Sequence, residues 1–90
     1  MYKKDTTVIN ETGIHARPAS VFVQEAKKFE SKITVTNLVN SKSGDAKSII
    51  KVLTLGLTQG TSMRIEAEGS DETKAVDTLI TLINSGLDDL

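Results

Sequence analysis

The sequence has 90 residues, enough for one domain whose helix and sheet faces share a core and too few for a second independent unit. Its 11 Lys and Arg nearly balance 12 Asp and Glu, so the whole-molecule field gives no reason to expect nucleic acid or an anionic membrane as partner. The chain has no Cys, and its aromatic residues are one Tyr and two Phe; a disulfide framework, a thiolate metal site and a base-stacking platform are therefore excluded.

Met-Tyr-Lys-Lys-Asp leads into strand-forming residues instead of a signal-peptide core. No apolar run reaches the length of a membrane span, so the expected compartment is the cytoplasm. Tyr2 to Ile9 reads as a strand with loose alternation, and Asn10-Glu11-Thr12-Gly13 as a turn. From Ala19 the apolar residues Ala19, Phe22, Val23, Ala26 and Phe29 recur at intervals of three and four. This spacing predicts an amphipathic helix from Ala16 to Phe29, with Pro18 in its first turn and Lys27 and Lys28 in its last.

Lys32 to Leu38 alternates polar and apolar residues and reads as a second strand, followed by a turn-rich connection, Asn40 to Asp45, which holds a short strand or hairpin tip. Ile49, Val52, Leu53 and Leu57 predict a short helix capped by Ser48 and stopped at Gly56. Thr61 to Glu68 carries the clearest strand alternation. Gly69-Ser70-Asp71-Glu72 then puts an N-cap and two acids at the start of a helix with Ala75, Val76, Leu79, Ile80 and Ile83 on one face, ended by Gly86. This order predicts an α+β sandwich with helices covering one face of an antiparallel sheet, and the whole of 1–90 as a single domain.

Gly13-Ile-His-Ala-Arg-Pro-Ala19 contains the only His and the only Pro. His15 falls at the mouth of the predicted helix, where free amides attract anions and the dipole disfavours the imidazolium. A neutral imidazole there keeps a lone pair for in-line attack on phosphorus, and the backbone of Ala16 and Arg17 can hold the transferred group. Arg17 is close enough to present its planar fork to the same phosphate. The rival classes are weak. The sequence has no Gly-x-x-x-x-Gly-Lys loop, no Gly-x-Ser-x-Gly elbow and no second His for a metal pair. The acids Glu66, Glu68, Asp71 and Glu72 read as a solvated face and a complement to the helix dipole rather than a carboxylate pair.

The histidine motif, Lys47-Ser48-Ile49, Leu55-Gly56 and Gly60 ahead of the last strand together resemble the histidine-containing phosphocarrier (HPr) family. The serine motif looks like that of its Gram-positive branch, although the connection before it is longer than is common there and Lys51 stands where Gly is frequent. The resemblance implies an open-faced sandwich of four antiparallel strands and three helices. It also implies a relay of phosphoryl groups from enzyme I, charged by phosphoenolpyruvate, to sugar-specific enzyme IIA components.

On the same grounds His15 is the acceptor through Nδ1, Arg17 the phosphate partner and Ser48 the regulatory site of an HPr kinase/phosphorylase. Neither a cofactor nor a metal is implied, and the protein acts as a carrier between enzymes rather than as an enzyme. Ile49, Ile50 and Leu53 are candidates for a docking patch beside His15, with Phe22 divided between core and surface. A carrier offering one face to several partners in turn is expected to be monomeric. The alternative is an HPr-like regulatory protein acting mainly as a serine-phosphorylated corepressor with a catabolite-control transcription factor.

Overall fold

The computed structural model of the chain describes residues 1–87. The elements run β1 (Tyr2–Thr7), α1 (Ala16–Ala26), β2 (Lys32–Asn37), β3 (Ser43–Asp45), α2 (Ile49–Leu53), β4 (Ser62–Glu68) and α3 (Glu72–Asn84). The strands form one antiparallel sheet in the order β1-β4-β2-β3. The predicted open-faced sandwich is therefore the fold observed.

Alternation decides which sheet face is covered. Ile33 and Val35 of β2 and Met63, Ile65 and Ala67 of β4 are buried, whereas their neighbours in each strand are more exposed. Helix α3 lies over β1 and β4, α2 packs against β3, and α1 contacts both helices. Ala19, Phe22, Val23 and Ala26 of α1 and Ala75, Val76, Leu79 and Ile83 of α3 complete the core. The opposite face is open and charged; Arg64 of β4 forks onto Asp5 of β1 with Nε 2.8 Å from Oδ1.

Strand β1 alternates loosely because its inward set is polar and satisfied by α3. The Tyr2 hydroxyl donates to Asp77 Oδ1 at 3.0 Å, Lys4 Nζ lies 2.9 Å from the same carboxylate, and Thr6 donates to Asn84 at 2.6 Å. These contacts hold the Asp77 carboxyl below its ordinary pKa and raise that of Lys4, chiefly through the hydrogen bond they share.

Three expectations from the sequence are corrected. Helix α1 ends at Ala26 instead of Phe29, because the next amides form tighter bonds: Lys28 N–H to Glu25 O and Phe29 N–H to Ala26 O. The cation at that end is Lys47, whose Nζ donates to Phe29 O at 2.6 Å, while Lys28 pairs with Glu25. The side-chain N-cap expected within residues 69–72 is not made, because Asp71 occupies that position without a capping bond. Its carboxylate instead accepts from the Glu30 N–H at 2.9 Å, the Ser31 N–H at 3.0 Å and the Ser31 hydroxyl, tying α3 to the start of β2. The Ser31 hydroxyl is the foremost cause of the lowered Asp71 pKa. Glu72 takes over part of the capping by accepting from Gly69 N–H.

Candidate functional site

Residues 10–15 are threaded against the segment that follows α2. Gly13 N–H donates to Asn10 O at 3.0 Å, Ile14 N–H donates to Leu57 O at 2.8 Å, and Asn10 Nδ2 donates to Gly86 O at the end of α3. Ile14 is buried and anchors the loop in the core. The following residue, His15, is exposed and extended at φ −146° and ψ 156°, and it occupies the N-cap position of α1 without a side-chain capping bond. A buried residue immediately before it and a helix immediately after it fix where the imidazole leaves the surface.

Ala16 opens α1 at φ 52°, in the left-handed region, where an L-residue is less stable by about 1–2 kcal/mol. The nucleophile candidate is thus followed directly by a strained residue, in a segment anchored by buried Ile14 before it and buried Ala19 after it. Arg17 is exposed, Pro18 is half-buried in the first turn as predicted, and Ala19 is fully buried. Pro18 has no N–H to leave unpaired, so the amides that the first turn can offer an anion come from Ala16 and Arg17.

Helix α2 packs against α1 and carries the other candidates. Ser48 is its N-cap; Oγ accepts from Lys51 N–H at 3.3 Å, and the residue is half-buried. Because Lys51 contributes only its backbone to this bond, its presence leaves the cap intact. Ile49, Ile50 and Leu53 are 39, 70 and 41% exposed, whereas Phe22 is at 0% and belongs to the core. Val52, between them in sequence, is buried at 1% and seats the helix.

Two side chains make contacts that the sequence did not show, and of these only Lys47 is part of a motif. Buried Asn37 donates from Nδ2 to Leu55 O at 2.8 Å and to Gly56 O at 3.3 Å, and its Oδ1 accepts from Val39 N–H at 2.8 Å. It joins the end of β2 to the end of α2. Lys47 ties the residue before Ser48 to the turn after α1. The available signal for Asn37 was its type, a turn-former at the end of a strand pattern.

Among the described residues no group of three metal-ligating side chains converges, and no helix is long and apolar enough to cross a membrane. The chemistry on offer is an exposed imidazole at a helix mouth, an arginine two residues on, and an adjoining apolar helix.

The model of the phosphotransferase-system HPr component, described by its phosphorylation site, matches residues 2–85. The phosphocarrier protein HPr of Haemophilus influenzae is 53% identical over 92% of this chain and 95% of that relative. The phosphocarrier protein HPr of Vibrio cholerae is 48% identical over 93% of this chain and 96% of its own. The crystal structure of HPr-C-His from Thermoanaerobacter tengcongensis superposes with a TM-score of 0.93 at 41% identity, covering 100% of this chain and 99% of that one. Both curated relatives come from Gram-negative bacteria, so the Gram-positive likeness of the serine motif is a side resemblance and does not place the chain in that branch. With its fold and nearly its whole length in common with these proteins, the chain belongs to the HPr family of phosphotransferase-system phosphocarriers.

Proposed function

We propose that His15 is the residue through which this phosphocarrier works, accepting a phosphoryl group from phospho-enzyme I and passing it to enzyme IIA components. The observation that carries this reading is the position of the imidazole, exposed and uncapped at the mouth of α1, directly before the amides of Ala16 and Arg17. The Nδ1 lone pair attacks phosphorus in line, so the new N–P bond forms as the donor's bond to phosphorus breaks. The amides and the helix dipole then hold the transferred dianion. Delivery to an acceptor reverses these steps. Incubation with enzyme I and labelled phosphoenolpyruvate is expected to leave one acid-labile, base-stable phosphoryl group on the chain. A label stable in acid would contradict the reading.

Arg17 serves the transfer itself by placing guanidinium donors on charge that develops between the reacting atoms. Its side chain is exposed and contributes nothing to the core. Arg17→Ala is expected to keep the wild-type unfolding midpoint while phosphoryl transfer slows by about tenfold or more. Stopped-flow or rapid-quench transfer rates equal to those of the wild type would remove Arg17 from the site.

Ser48 is the regulatory phosphosite in this reading, with an HPr kinase/phosphorylase and a catabolite-control transcription factor as the partners that act on it or respond to it. Phosphorylation would add about −1.5 to −2 charges at a helix start, beside the exposed Ile49, Ile50 and Leu53. The fold should tolerate this charge, and docking of an acidic partner should weaken. Treatment with ATP and the kinase is expected to give an acid-stable phosphate absent from Ser48→Ala. The same phosphate appearing in the variant would move the site elsewhere. The chain acts in this scheme as one monomeric, cytoplasmic unit, a carrier and not an enzyme. The names of the curated relatives support the carrier reading over a role confined to corepression.

A further inference from the structure

The tip of the β2–β3 hairpin presents Val39 at 76% exposure, more than any other large apolar residue described. A single exposed Val decides nothing by itself. Its setting does. Asn37 Oδ1 accepts from the N–H groups of Val39 and Asn40, Asn37 O accepts from Ser41 N–H at 2.8 Å, and Asn40 Oδ1 accepts from Lys42 N–H at 2.9 Å. The tip is therefore a stapled loop that presents Val39 in a fixed place, so little ordering entropy opposes its burial by a partner.

The same staples locate the tip. Asn37 Nδ2 and Asn40 Nδ2 donate to Leu55 O, just beyond the exposed end of α2, and Leu57 O receives the N–H of Ile14, the residue before His15. A short, continuously bonded path thus leads from the hairpin past α2 to the nucleophile. A phosphotransfer partner must seat a reacting atom on His15. A typical partner footprint of about 800 Å² is a disc of about 16 Å radius, wide enough to span this end of a molecule measuring 33 × 29 × 21 Å.

Two exposed lysines flank the hairpin, Lys42 at its tip and Lys51 of α2, whose side chain lies against Gly44 of β3; Asp45 of β3 is the acid beside them.

We propose that the Val39 hairpin tip is a rim contact of the surface on which the phosphoryl donor to His15 docks, and that the donor meets it with an apolar recess edged by carboxylates. The proposal rests on the reading of His15 as the acceptor. The apolar strip of Ile50 and Leu53 then continues onto the hairpin, and Lys42 and Lys51 lie at its margins. The hairpin adds to partner affinity without touching the reacting atoms.

The test is the steady-state rate of phosphorylation by enzyme I and phosphoenolpyruvate as the concentration of this chain is varied. Val39→Asn is expected to raise the KM for this chain by about fivefold, with a smaller change in kcat, because it removes binding common to ground and transition states. Val39→Ile should restore the wild-type KM. In an NMR titration with enzyme I, the amides of residues 38–42 should shift along with those next to His15. A KM within twofold of wild type for Val39→Asn, or unmoved 38–42 amides, would overturn the proposal while leaving phosphorylation of His15 standing. A label that persists in His15→Ala would instead overturn the reading beneath it. Unfolding midpoints equal to wild type are expected for both Val39 variants, so a raised KM reports docking.

Discussion

Replacing His15 with Ala is expected to abolish phosphoryl uptake from enzyme I and phosphoenolpyruvate while leaving the fold in place. His15 is the only imidazole in the chain, and no cysteine thiolate is present to take over. The hydroxyls of Ser and Thr would give acid-stable esters instead of a labile phosphoramidate. The structural cost is small because the side chain is exposed and makes no capping bond, and such surface substitutions change stability by about 0.5 kcal/mol or less. Two measurements on the same sample make the case. Incorporation of label should fall to background, and the denaturation midpoint should match that of wild type. Label retained by the folded variant would show that the phosphoryl group resides elsewhere.

That residue was legible in the sequence because its chemistry is local. One His, a Pro three residues later and an apolar period of three and four suffice to put an imidazole at a helix mouth. The strand and helix order was legible for the same reason, most clearly in β4, where Met63, Ile65 and Ala67 alternate with polar neighbours.

The contacts that join the elements to one another were not legible, since each joins residues far apart in sequence. Asn37 reaches Leu55, Lys47 reaches Phe29, and Asp71 reaches Ser31. Asp71 shows the physical reason: it occupies the N-cap position of α3, but three donors from residues 30 and 31 take its carboxylate in place of its own helix. Phe22 could not be assigned from periodicity alone, because a helix lying over two other elements buries more than a narrow stripe. The structure puts Phe22 in the core and leaves Ile50 outside.

Gly13→Ala is expected to be the most damaging single substitution near the site, through the backbone and not through lost chemistry. Gly13 adopts φ +73°, and a Cβ built on it would lie 2.6 Å from Leu57 O and 2.9 Å from the Cα of Thr58. Both are backbone atoms, so neither can swing aside. The left-handed φ alone costs Ala about 1 kcal/mol, and separating the two segments would stretch the Ile14 N–H bond to Leu57 O that anchors the residue before His15. A total loss of about 2–4 kcal/mol follows.

Gly60 provides the control, with φ +86° and nothing within 4 Å of a built Cβ. Gly60→Ala should lose only the backbone component, about 1 kcal/mol. Urea denaturation of the two variants separates strain from collision. Phosphoryl transfer by the folded fraction of Gly13→Ala should also be slower, since the loop that aims His15 has moved, whereas Gly60→Ala should transfer at the wild-type rate. Equal destabilisation of the two variants would mean that the Leu57–Thr58 segment yields to the added methyl. The placement of His15 would then owe little to the close packing at Gly13 and would rest on Ile14 and the strained first turn of α1.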